Sequence, residues 1–141
     1  MNMDADQSTT RVTLRLRALL EYRPVAIGLV TALAAQVASA DRTFRDEVVT
    51  AFGEAFNNLV AHGYRGRADG IVDIEAEMTA DRIILRLIDG GEQVDFARIR
   101  EPDLDSLPEG GMGVFMMRAL VDDVSYSAGE PNVLTLTKRV R

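Results

Sequence analysis

The sequence contains no cysteine, so disulfides, thiolate metal sites and thiol nucleophiles are excluded, in keeping with a reducing compartment. Lysine is nearly absent: of 16 basic residues only Lys138 is a lysine, and the formal net charge is -6. Phosphate-backbone affinity depends on clustered cations, so no nucleic-acid partner is expected.

A long membrane-spanning run is missing too. The most apolar stretch, residues 25–40, follows arginines and ends in Ala38-Ser39-Ala40, which imitates a secretory signal. Such signals run ~15–30 residues, and the acidic Asp4, Asp6 and Glu21 precede this one. Thr31 and Gln36 interrupt it before the ~20 apolar residues that a span requires. The stretch therefore predicts a helix from Pro24 to about Ala40, largely buried or in an interface, in a cytoplasmic protein with no membrane association.

With 141 residues, 47% hydrophobic and 27% charged, the chain suits one compact domain. The polar, patternless residues 1–10 predict a flexible tail, and 11–141 the folded domain. Residues 11–17 alternate Val12, Leu14 and Leu16 against Arg11, Thr13, Arg15 and Arg17, as a half-buried strand does. A second helix is expected from Asp41–Phe44 to about His62, stopped by Gly63.

A hairpin should follow, Ile71 to Met78 and Arg82 to Ile88, around Thr79-Ala80-Asp81. Its first strand sets Val72, Ile74, Ala76 and Met78 against Asp73, Glu75 and Glu77. Three carboxylates at this spacing fit either a metal or a solvated sheet face paired with Arg86; the solvated face is the expectation. One covered and one wet face imply an antiparallel sheet with its helices on one side. Residues 89–111 lose all periodicity, a length typical of functional loops. A helix from Gly113 to about Val121 and strands near Asp123–Ser127 and Val133–Lys138 complete the order.

Three clusters carry chemistry. Glu54, Asn58 and His62 recur every fourth residue, so on an α-helix they form one narrow polar line beside the apolar arc of Val48, Phe52, Ala55, Phe56 and Leu59. Polar groups at the edge of a core need partners, and a ligand is one candidate, a chance polar edge the other. Asp89-Gly90-Gly91 ends an apolar strand, where a carboxylate can accept from an exocyclic amine and glycine admits a close ring; it is equally a common turn. Glu109-Gly110-Gly111-Met112-Gly113 opens a helix, whose free N–H groups suit phosphates, yet it matches neither the P-loop nor the Rossmann spacing.

Taken in order, residues 54–64, 89–91 and 110–124 resemble the N, G1 and G2 boxes of the GHKL ATPases, and more narrowly those of the anti-sigma-factor serine kinases of the RsbW type. The resemblance spans about Arg11 to Arg139. It implies an α+β fold: a two-layer α/β sandwich of the Bergerat type, with a mixed, mostly antiparallel sheet and helices on one face. It implies ATP as substrate with ADP as product, and magnesium held by the side-chain oxygen of Asn58. Glu54 becomes the general base, Asp89 the reader of adenine N6, and Gly91 the floor beneath adenine. Gly111, Met112, Gly113 and Val114 come to lie at the phosphates and the lid hinge.

The implied function is that of an anti-sigma factor with serine/threonine kinase activity, phosphorylating a STAS-domain anti-anti-sigma protein. The alternative is a nucleotide-gated module that sequesters a sigma factor without catalysis; a base at Glu54 favours the enzyme. A histidine kinase is not expected, since His62 lies inside the N box and no other histidine can accept phosphate. Transducer-bearing relatives of the gyrase, chaperone and MutL kinds are not expected either. Two positions depart from the pattern: Gln93 replaces a frequent second glycine, and Glu109 sets an anion beside the phosphates, where Arg98 or Arg100 could compensate. A homodimer through exposed apolar helix positions is left open, and His62 receives no role.

Overall fold

The computed structural model describes residues 9–37, 40–65, 67–93 and 111–141, with the first turn of the last span, 111–113, described only as helix. Five strands form one sheet: β1 (Thr10–Arg17), β2 (Ile71–Met78), β3 (Arg82–Asp89), β4 (Asp123–Ser127) and β5 (Asn132–Arg139). Their order is β1-β2-β3-β5-β4, and all four pairings are antiparallel. The expected mixture of directions is therefore absent among the described strands. For two of the pairings the reason lies in the connections: residues 79–81 join β2 to β3 and 128–131 join β4 to β5, too short for the crossover that a parallel pair requires.

Three α-helices cover one face: α1 (Arg23–Ala34), α2 (Arg42–Asn58) and α3 (Gly111–Leu120). The central helix, α2, packs against both others. It starts at Asp41, whose side chain accepts from Phe44 N at 2.8 Å, satisfying one of the free donors of the first turn. Its inner face buries Val48, Phe52, Ala55 and Phe56 completely. Each of the two phenylalanines contributes about 1.5–3 kcal/mol by that burial.

Strand alternation sends Val72, Ile74 and Ala76 of β2, Ile83, Leu85 and Leu87 of β3, and Leu134 and Leu136 of β5 into the same core. The opposite face is wet and charged. Arg15 donates to both oxygens of Asp73, at 2.7 and 3.0 Å, which holds that carboxyl below the ordinary carboxylate range. Arg86 reaches Glu77 at 3.3 Å. Asp73 and Glu77 are thus arginine-paired, with Glu75 between them on the same half-exposed face.

Helix α1 differs from the sequence expectation in two respects. Helix α1 ends at Ala34, not Ala40, because the chain must turn at residues 35–37 to reach the Asp41 cap of α2. It is also buried on one stripe only, Ala26, Val30 and Ala34, while Val25 and Gly28 face outward. Ile27 and Leu33 flank this stripe and are partly buried against the core, whereas Val25 stays 52% exposed.

Candidate nucleotide site

Helix α2 is α-helical as far as Asn58, so Glu54 and Asn58 sit one turn apart on the same edge. Glu54 is half-buried and Asn58 is buried. Beyond Asn58 the helix widens into a π turn, Leu59–Gly63. The wider turn breaks the fourfold recurrence, and His62 lies exposed instead of continuing the polar line. The expectation of a three-residue line thus fails at its last member. The π turn has a use, since it delivers the Gly63 carbonyl to the end of β3.

There Glu92 N donates to Gly63 O at 2.6 Å. A Cβ on Gly91 would stand 2.5 Å from that same oxygen, so only glycine fits position 91. The first residue of this turn, Asp89, is 6% exposed and points to the core side of the sheet. Its Oδ1 accepts from Gly91 N at 2.8 Å and from Asn132 Nδ2 at 3.2 Å. Burial raises the Asp89 pKa, opposed by the bonds from Asn132 and Gly91. Its Oδ2 accepts no bond among the described residues, which leaves one oxygen for a donor arriving from the pocket.

That pocket lies between α2 and the β3–β5 ladder. Ala55, Leu59, Leu87 and Leu134 give it apolar walls, and Asn58, Asp89 and Glu92 give it polar margins. The cavity is tight, about 20 Å³, so a flat heterocycle carrying an exocyclic amine would match its apolar walls and waiting carboxylate only by moving those walls apart.

Asn58 supports a ligand on its own evidence. Its Nδ2 is buried and has no hydrogen-bond partner in the structure. Leaving such a donor unmade costs about 1–3 kcal/mol, and exchanging the amide O and N would only transfer the deficit. The unmet group is an N–H donor and calls for an acceptor; the amide oxygen of the same side chain is the kind of hard donor that a magnesium ion would take, with phosphate oxygens and waters completing the shell.

Helix α3 starts at Gly111 and is seated by Val114 and Met117, both fully buried. Its N-terminus therefore comes from the region that the Gly-rich segment was expected to occupy. Of the residues expected at phosphate, Gly111, Met112 and Gly113 have no described side-chain environment, and Val114 is an inward anchor. Glu109, Arg98 and Arg100 lie outside the described residues. Gln93 is exposed.

One residue of the site was not anticipated. Asn132 is fully buried at the start of β5, directly opposite Asp89. It donates to Asp89 Oδ1 and, at 2.9 Å, to Gly91 O, while its own Oδ1 accepts from Gly129 N at 2.9 Å. It holds the carboxylate and the glycine of the turn together. The available signal was the alternation Asn132, Leu134, Leu136, which puts the asparagine on the core side.

A family model described as the histidine kinase-like ATPase domain matches residues 16–138. The chain belongs to this family. The anti-sigma F factor of Clostridium beijerinckii is 36% identical over 107 residues, 72% of this chain and 75% of that protein. The serine-protein kinase RsbW of Bacillus pumilus is 29% identical over 129 residues, 82% of this chain and 80% of that protein. Among solved structures, the RsbU and RsbW domains of Rv1364c from Mycobacterium tuberculosis match with a TM-score of 0.67 at 21% identity, covering 92% of this chain and 32% of that one. This last likeness speaks for the fold. No helix among the described residues is long and apolar enough to cross a membrane.

Proposed function

We propose that this chain binds magnesium-ATP and transfers its γ-phosphoryl group to a serine or threonine of a protein antagonist, and that in its unoccupied role it restrains a sigma factor. The observation that carries the reading is the meeting of Asn58, one helical turn beyond Glu54, with Asp89 around one pocket in which the Asn58 Nδ2 has no partner. Family membership and the names of the relatives point the same way.

In this reading Asp89 Oδ2 accepts from adenine N6, Gly91 lets the ring approach, and Asn132 keeps Asp89 from turning away. The free N–H groups of Gly111, Met112, Gly113 and Val114 receive phosphate oxygens at the positive end of α3. Bound magnesium supplies charge neutralisation at the β- and γ-phosphates, held on the protein side by Asn58. The Glu54 carboxylate accepts the proton of the incoming hydroxyl as its oxygen bonds to the γ-phosphorus; the bond to the bridging oxygen breaks and ADP leaves. Half-burial suits Glu54 to this task, since it can meet a protein substrate without being solvated away from it.

The substrate is a STAS-domain anti-anti-sigma protein, the second partner a sigma factor, and the setting the cytoplasm. The test is direct: incubate the chain with magnesium and ATP labelled on its γ-phosphate, together with STAS-domain proteins of the same cells. Label on a serine or threonine of one of them is expected. Nucleotide-dependent binding of a sigma factor with no labelled protein would select the non-catalytic alternative.

A further inference from the structure

We propose that Tyr64 is a positioning residue for the base half of this site, its hydroxyl setting the Asp89-Gly90-Gly91 turn in the shape that reads adenine. The inference rests on the nucleotide reading above and assigns a residue to it that touches no ligand.

Tyr64 is 5% exposed. Its hydroxyl donates to Ile71 O at 2.6 Å and accepts from Gly90 N at 2.9 Å. The β2–β3 ladder has its last rung at Val72 and Asp89, so Ile71 and Gly90 are the pair that would come next. The phenol stands between these two main-chain groups and takes the hydrogen bonds a further rung would have made. Gly90 is thereby held at the end of the sheet without being drawn into it, and the chain is released to turn at Gly91.

The ring itself has little freedom. A Cβ on Gly70 would meet its Cγ at 2.5 Å, so glycine there makes the space the ring fills. The Arg67 guanidinium lies 5.8 Å from the ring centroid on another side. Tyr64 also follows Gly63 directly, and Gly63 O receives Glu92 N. Two adjacent residues at the end of the π turn thus hold Gly90 and Glu92, one on each side of Gly91. Gly91 N in turn holds Asp89 Oδ1, so the direction of the free Asp89 oxygen depends on the turn that Tyr64 fixes. Glu54 and Asn58 stand on the preceding α-helical turns and depend on packing of α2 instead.

The consequence is a selective one: losing the hydroxyl should weaken base recognition and leave the metal half intact. Tyr64→Phe keeps the ring and its packing but removes both hydrogen bonds. Calorimetry with ADP should show affinity about tenfold weaker, whether or not magnesium is present. The factor by which magnesium strengthens ADP binding should stay at the wild-type value. Gly70→Ala, which pushes the ring from the far side, should give the same pattern, and circular dichroism should confirm that both variants are folded. Unchanged ADP affinity in folded Tyr64→Phe overturns the inference alone. So does a loss in which the magnesium factor falls in step, since that marks general loosening. A wild-type protein that binds no ADP overturns the nucleotide reading and this inference together.

Discussion

Helix α2 and strand β5 run side by side between two ends of the molecule, and both ends bury polar side chains with opposite outcomes. At the far end, Lys138 faces the core from β5, where its Nζ donates to Glu47 Oε2 at 2.6 Å and to Leu120 O at 2.5 Å. The second bond satisfies a carbonyl at the C-terminus of α3 and places a cation at the negative end of its dipole. Nearby Asp122 accepts from Arg139 N and from the Arg141 guanidinium, both at 2.6 Å. At the near end, Asp89 keeps an oxygen without a donor among the described residues, and Asn58 keeps an N–H without an acceptor. Mutually satisfied polar groups fasten helix to sheet; unfinished ones wait for a ligand. Unmet capacity marks a site only where it meets a pocket: the buried Arg23 Nε also lacks a partner, whereas Asn58 and Asp89 line one cavity together.

The largest break in this comparison should come from Glu54→Ala. Phosphotransfer to the antagonist should fall ~10²–10⁴-fold, while ADP affinity measured by calorimetry stays at the wild-type level. At the fastened end, Lys138→Met should lower stability by about 1–3 kcal/mol, because the Leu120 carbonyl and Glu47 lose their donor. Urea denaturation measures it, and the half-exposed Glu47, free to turn to water, keeps the loss from growing larger. Asn58→Ala should behave in the opposite sense: stability not lowered, since an unmet donor is removed, but a smaller gain in ADP affinity on adding magnesium.

The smallest expected effect is a pair of pH dependences of opposite sign. The bonds from Arg139 N and then Arg141 hold the Asp122 carboxyl below its ordinary value near 3.8. Its stabilising contribution is present above that value and lost as pH falls through the lowered one. Burial raises Asp89 instead, so the folded protein keeps that proton longer than the unfolded chain does. Its contribution is greatest below about 3.8 and is lost as pH rises through the raised value. Denaturation across acidic pH should therefore flatten on the acid side in Asp122→Asn and lose the opposing slope in Asp89→Asn.

Much of this was legible from side-chain periodicity. The β2–β3 hairpin follows from its alternation within a residue at each end, as does the wet face with its carboxylates. Asp89 stood out as a carboxylate closing an apolar strand, where a turn is the commoner reading, and only the resemblance singled it out as a base reader. What escaped depends on distant geometry. His62 was placed by assuming α-helical spacing, and nothing local announces that the helix widens after Asn58. Asn132 sits in Gly129-Glu130-Pro131-Asn132, which reads as turn chemistry, and its role appears only when β5 registers against β3. Lys138 received no role from the sequence, since its partners are 91 and 18 residues away.

The central claim is that the unfinished end is where nucleotide binds and the fastened end is not. Calorimetry of magnesium-ADP binding to the wild type, Asp89→Asn and Lys138→Met tests it most directly. Binding by the wild type, a loss of about tenfold or more in Asp89→Asn, and undiminished affinity in folded Lys138→Met is the predicted result. Equal losses in the two variants, or wild-type affinity in Asp89→Asn, would contradict it.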